Sequence, residues 1–428
     1  MANKLRDDCF LHDQKRLRHA EALNILRTRL HPVADGELVP LPQAAGRILR
    51  EAAVAPQPVP AHTNAAVDGY SFAFAAYDAR EGCELPVEGR AAAGHPLRGR
   101  PPPRTAVRIF TGAVMPEGHD TVVMQEDVRI RRSEEGASQV IIPGGLKHES
   151  NVRQAGEDVK AREIVLDTGA VLRPQDLAAL ASIGITEVPC FRRLTVAIIS
   201  TGDEVVGIGG GEIDLGGVHD ANAPMLAPMI AAAGADATYL GVLADNQEAV
   251  RKTLAETAGR FDVIITTGGA SRGEEDHVVA ALDQLGKRHI WQLAIKPGRP
   301  MSFGQIGDCV LVGLPGNPVA VFVCFLLYVW PILRRMGGAA WPEPRRYRLP
   351  ATFTHPDRRV GRREFWRGTL KETPFGLAVD KFARDGSGLI SGLRAADGLI
   401  EIPEEIAGVQ PGDLVSFIPF TEFGIPAR

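Results

Sequence analysis

Between residues 191 and 336 short apolar runs alternate with helical segments, and this alternation constrains the fold more than any other feature of the chain. The runs are Leu194–Ser200, Ala237–Leu243, Val263–Thr267, His289–Ile295 and Cys309–Gly313. The helical candidates are Pro224–Ala233, Gln247–Ala258, Glu275–Leu285 and Pro318–Arg335. Runs that are apolar at every position cannot face water on either side. Alternation with helices therefore predicts a parallel sheet covered on both faces, a doubly wound α/β unit.

In such a sheet ligands bind outside the carboxyl ends of the strands. The first run is followed by Thr201-Gly202-Asp203-Glu204, the second by Ala244-Asp245-Asn246. The third leads into Gly268-Gly269-Ala270-Ser271 and on to Asp276. The fourth precedes Lys296-Pro297-Gly298-Arg299, and the last precedes Pro315-Gly316-Asn317-Pro318. Glycine lets backbone N–H groups approach an anion, and carboxylates are hard ligands suited to Mg2+. Lys and Arg hold anionic oxygens. Each loop has a plainer reading as well. Gly268-Gly269 suits a tight turn, Asp203 and Asp245 suit caps, Asn317-Pro318 suits N-cap and N1, and Lys296 suits a solvated charge. Their joint occurrence at five successive strand ends points to a phosphorylated ligand with a divalent metal. The motifs G-x-x-x-x-G-K-[ST], H-E-x-x-H and G-x-S-x-G are absent.

Around this unit the chain changes character. Residues 61–142 hold short runs such as AVRIF and TVVM between Gly and Pro, and residues 337–428 return to strand-like alternation. These read as a small β-rich unit before the α/β unit (190–336) and a small terminal β barrel or sandwich after it. Helices are expected over residues 18–30 and 170–184. The net charge of −4 offers no general attraction for nucleic acid. Five cysteines without a C-x-x-C pair fit a reducing cytoplasm. The polar first residues predict no signal peptide, and Val319–Leu333, broken by Pro331, predicts a buried helix and no membrane span.

The ordered motifs NAAVDGY (64–70), TGAVMPEGHDTVVMQE (111–126), RQAGED (153–158), STGDE (200–204), KPGRP (296–300), GLPGNPV (313–319), GRREFWRG (361–368) and GSGLIS (386–391) carry a resemblance. The chain resembles the molybdopterin molybdenumtransferase family and the C-terminal region of gephyrin. The resemblance implies conversion of adenylylated molybdopterin and molybdate to molybdenum cofactor and AMP, assisted by Mg2+. It also implies a homodimer whose active site is shared between subunits, with four parts per chain: a mixed linker or dimerisation unit (18–53 with 157–189), an inserted β-rich unit (54–156), the α/β unit (190–336) and a C-terminal β barrel (337–428). Implied further partners are the molybdopterin adenylyltransferase and acceptor molybdoenzymes. Carried over, the catalytic set is Asp68, Thr111, Glu204, Asp245 and Asp276, with Glu204, Asp245 and Asp276 on the metal. The substrate set is Gly202, Asp220, Asn222, Gly268, Gly269, Ser271, Lys296, Pro297, Arg299, Gly316, Asn317, Arg367 and Ser387. Gln292 stands where many members carry Lys, and Ala320 where Ser is common. A scaffold role, tungstate insertion and pterin adenylylation are the rival readings.

One feature stands outside this scheme. Eight Arg lie between Arg345 and Arg367. They suit either a solvated β surface or an electrostatic guide for anionic ligands.

Overall fold

The structure is a computed structural model that describes residues 16–132, 137–268 and 277–427, with the backbone alone over 288–292. Its central sheet has six strands in the order Asp236–Leu243, Thr195–Thr201, Val263–Thr267, Cys309–Leu314, Pro300–Ile306, Lys287–Gln292. Side chains alternate strictly across it. Val196, Ile198, Ile265 and Val312 pack on one face with helices His19–Arg29, Asn222–Ala232 and the segment Pro318–Met336. Ala197, Ile199, Ile264 and Leu311 pack on the other with helices Gln247–Ala258 and His277–Leu285. Both faces are thus covered, as the unbroken apolar runs require.

The sheet is not wholly parallel, which corrects the sequence expectation. Pro300–Ile306 runs antiparallel to both of its neighbours. It joins Cys309–Leu314 through a two-residue turn, Gly307-Asp308, where Gly307 has φ +57°. A Gly-Asp pair between two apolar runs is a hairpin signal. The run expected over His289–Ile295 is also divided. Lys287–Gln292 stays in the central sheet, while Ile295–Lys296 pairs parallel with Arg363 and Glu364 of the C-terminal sheet. Lys296 is therefore placed by the C-terminal region and not by a central strand end.

The segment Pro318–Met336 is long and apolar enough by composition to cross a membrane, yet 89% of that window is buried inside the protein. A π-helical turn over Phe325–Val329 precedes Pro331 and accommodates its missing N–H.

Two short antiparallel pairs, Gly36–Pro40 with Glu187–Phe191 and Ala53–Val54 with Ile164–Leu166, clasp the chain before and after the inserted β-rich segment. The helix Pro174–Ser182 starts on Pro at N1, and Gly184 follows at φ +84°. The inserted segment forms a sheet ordered Thr121–Met124, Gly69–Phe72, Ala106–Ile109, Cys83–Ala91, Ser138–Ile142, Arg129–Arg132. The C-terminal sheet is ordered Ile295–Lys296, Arg363–Thr373, Gly398–Ile402, Leu414–Pro419, Tyr347–Pro350, with Gly376–Lys381 paired to Arg363–Thr373.

The first helix docks into the core of the α/β unit through Ala22 and Leu26. Its His19 is 2% exposed, lies edge-on to Tyr328 and Phe365, and has Nδ1 2.8 Å from the Tyr328 hydroxyl. Burial pushes the imidazole down from 6.5 to about 4. The unfolded chain then binds a proton that the folded chain refuses between those two values, so stability falls as pH drops through this window. The expected loss is about 3 kcal/mol, absent at and above neutral pH and complete near pH 4. Urea titrations of the parent and of His19→Gln check this. The gap between them should change by that amount across the window; a gap independent of pH contradicts the assignment.

Candidate functional site

The C-terminal sheet closes over the ends of the central strands, and a cavity of about 440 Å3 lies at the joint. Of the expected residues, Lys296, Pro297, Arg299, Asn317, Arg367 and Ser387 line it. Each is held by a different element. Lys296 lies on the short strand paired with Arg363 and Glu364. Arg367 is 7% exposed on Arg363–Thr373; its guanidinium donates to the Leu389 and Arg384 carbonyls at 3.0 and 2.7 Å and lies over the Phe382 ring. Ser387 accepts from the Val319 N–H at 2.9 Å, which ties the GSGLIS loop to the first turn of the helix beginning at Pro318. Asn317 is the N-cap of that helix without a side-chain cap bond, with Pro318 at N1. Its amide is thus not spent on the cap. The Gly316 carbonyl accepts from the Asn222 side-chain amide at 2.8 Å.

Gly298 has φ +97°, and a Cβ there would stand 2.2 Å from the Cys324 sulfur. Only glycine lets the Lys296–Arg299 segment lie this close to the buried helix.

Glu364 organises the cations behind the cavity. Its side chain is 1% exposed, and Lys296 Nζ lies 3.8 Å from it. Arg362 Nε and Trp366 Nε1 donate to it at 3.0 and 2.9 Å, and Arg358 Nε, itself buried, lies at 3.5 Å. Burial pushes the Glu364 carboxyl up, but the bonds from Trp366 and Arg362 and the charge of Lys296 outweigh it and hold it below the usual range. Lys381, paired with Asp385 at 2.6 Å and lying over the Trp366 ring, also lines the cavity. Lys381, Asp385 and Glu364 escaped the reading of the sequence. Only the register of the C-terminal strands brings them here.

A second group sits on the adjoining rim. Gly202 and Gly268 both have positive φ, and a Cβ on Gly268 would stand 2.7 Å from the Thr201 carbonyl oxygen. The Gly268 N–H donates to the Leu314 carbonyl at 3.0 Å, which makes this rim continuous with the Pro315–Asn317 loop. Asp203 accepts from the Asp245 N–H at 2.9 Å, so the loops after the first two strands meet. Glu204 and Asp245 are exposed there. The helix Gln247–Ala258 is capped by Asn246, not by Asp245. Asp220 is occupied structurally. It accepts from the Asn222 and Ala223 N–H groups, from the Ser200 hydroxyl at 2.5 Å and from Tyr239 at 3.0 Å. Gly269, Ser271 and Asp276 lie outside the described residues. Among the described residues no three His, Cys, Asp or Glu side chains gather closely enough to hold a metal. Glu204 and Asp245 nevertheless offer hard oxygen donors, the chemistry that suits Mg2+.

The third group is Asp68 with Thr111. The Asp68 carboxylate accepts from the Thr111 N–H at 2.8 Å and from its hydroxyl at 2.7 Å. These bonds, the backbone one first, hold its carboxyl below the usual range, and Arg108 adds to the effect. The pair belongs to the inserted sheet and does not line the cavity of its own chain.

An α/β unit whose last strand leads into an arginine- and lysine-lined cavity, closed by residues of a second sheet, has the chemistry that suits an anionic ligand at the joint. Comparison with known proteins fixes the family. The MoeA N-terminal region (domain I and II) matches residues 17–184, a probable molybdopterin binding domain matches 197–335, and the MoeA C-terminal region (domain IV) matches 354–420. A molybdopterin molybdenumtransferase of Haemophilus influenzae is 36% identical over 90% of this chain and 94% of its own. That of Bacillus subtilis is 31% identical over 91% and 90%. The solved molybdopterin biosynthesis moeA protein from Pyrococcus horikoshii superposes with a TM-score of 0.77 at 29% identity, covering 95% of this chain and 100% of that one. The chain belongs to the molybdopterin molybdenumtransferase family and is a transferase of molybdenum cofactor biosynthesis.

Proposed function

We propose that the chain converts adenylylated molybdopterin and molybdate to molybdenum cofactor with release of AMP. The observation that carries this is the convergence of Lys296, Arg299 and Arg367 with Asn317 and Ser387 on one cavity. Molybdate is a tetrahedral dianion, and fixed cations with neutral donors are what such an anion needs. Arg367 is well suited, since two backbone carbonyls and an aromatic face fix its guanidinium. The glycine rim at Gly202 and Gly268, joined to the cavity through Leu314, suits the phosphates. Enclosure under the C-terminal sheet would place oxyanion and pterin side by side, the proximity contribution. Glu204 and Asp245, with Asp276, would hold Mg2+, which when bound neutralises charge on the phosphoanhydride.

The same reading makes the active enzyme a homodimer. The Asp68–Thr111 pair, preorganised but away from the cavity of its own chain, would be supplied by a second copy, with residues 18–53 and 157–189 as the dimerising unit. It also takes residues 337–428 as a barrel; the bridge between Ala351 and Val379, which links the chain just after the end strand Tyr347–Pro350 back to Gly376–Lys381, supports closure. The chain is incubated with adenylylated molybdopterin and Mg2+, and AMP is measured. Release that rises with added molybdate is expected. Release indifferent to molybdate overturns the proposal.

A further inference from the structure

The Lys296–Arg299 segment has a second side. Behind it lies another cavity, of about 330 Å3, lined by Arg16, Lys296, Arg299, Arg359 and Arg362 together with backbone and small apolar groups. No carboxylate lines it among the described residues. Lys296 and Arg362 share the buried Glu364, whereas Arg16, Arg299 and Arg359 carry no ion pair among the described residues. Five cationic side chains around one small space, served by one buried carboxylate, repel one another. A polyanion seated between them would relieve that repulsion, and guanidinium forks match phosphate oxygens two at a time. The arginine-rich run after residue 345 divides here. Arg358, Arg363 and Arg367 are turned inward to carboxylates and carbonyls, while Arg359 and Arg362 face this cavity.

We propose that this second cavity is a binding site for a compact phosphate polyanion of the size and charge of inorganic pyrophosphate. Lys296 and Arg299 line both cavities, so an anion held here draws on cations that the first cavity also uses. The competition rests on the function proposed above; the site itself does not.

The test is calorimetric titration of the full chain with inorganic pyrophosphate, with orthophosphate alongside. Saturable binding of pyrophosphate is expected, with orthophosphate weaker because it spans fewer cations. Arg359→Gln should weaken pyrophosphate binding by about tenfold, the worth of one charge-assisted hydrogen bond, and Arg16→Gln should add to the loss. Both side chains are exposed, so the fold is retained, and AMP release without pyrophosphate should be unchanged. Ser387→Ala, in the first cavity, should leave pyrophosphate binding as it was. Absence of saturable binding overturns the proposal. So does binding that Ser387→Ala weakens and Arg359→Gln leaves intact. Because the readout is binding, failure here leaves the molybdate assay standing, and failure of that assay leaves this site standing.

Discussion

Glu364→Ala is expected to destabilise the chain by about 3–5 kcal/mol, the cost of leaving a buried charge without its partner. The carboxylate and the Arg358 side chain are each 1% exposed, so water cannot replace the lost contact. Trp366 Nε1 would lose its acceptor at the same stroke, and Lys296 its nearest anion. Glu364→Gln keeps an acceptor for Trp366 and should cost less. Chemical denaturation followed by tryptophan fluorescence reads the difference, since Trp366 sits on the network. A midpoint unchanged in Glu364→Ala would mean that Arg358 and Arg362 find other partners and that the network is not what fixes the Lys296 strand.

Glu204→Ala is expected to lower turnover by on the order of a hundredfold to a thousandfold, as several kcal/mol of charge stabilisation are lost at about 1.4 kcal/mol per tenfold. Glu204 is exposed on a loop at the rim, so stability should stay within about 0.5 kcal/mol of the parent. Loss of rate without loss of fold is the signature of a side chain that acts on the substrate or its metal. AMP release under saturating molybdate measures it. Turnover retained within a few-fold would remove Glu204 from the metal assignment.

The architecture was legible where periodicity is strong. Unbroken apolar runs announced a sheet covered on both faces, and Val196 with Ile198 against Ala197 with Ile199 confirm both coverings. The helix that starts on Pro174 and ends before Gly184 lies within the expected 170–184, and Gln247–Ala258 falls where the sequence puts it, although its cap is Asn246 and not Asp245. What failed was pairing. Pro300–Ile306 is an ordinary strand whose direction is set by the two-residue turn at Gly307-Asp308. Ile295–Lys296 leaves one sheet for another, a tertiary decision that no local pattern records.

The site divides in the same way. Gly202, Glu204, Gly268 and Asn317 are legible from the α/β pattern alone, because they lie in loops that follow its strands. Arg367 and Ser387 complete the cavity from the C-terminal region, and Asp68 with Thr111 sits on a third sheet. Only the family resemblance could single these out. The arginine run shows the limit of charge counting: Arg358 is buried against Glu364, while Arg345 one strand earlier is exposed. Composition cannot distinguish them, since partner carboxylates such as Glu401 and Glu404 come from a later strand and the turn beyond it.

The central claim is that the cavity between Lys296, Arg299, Arg367 and Ser387 receives the oxyanion. Crystals of the protein soaked in molybdate, with diffraction recorded at the molybdenum absorption edge, test it most directly. An anomalous peak in that cavity, within reach of Lys296 and Arg367, is the predicted result. A peak confined to another part of the molecule, with this cavity empty, would contradict it.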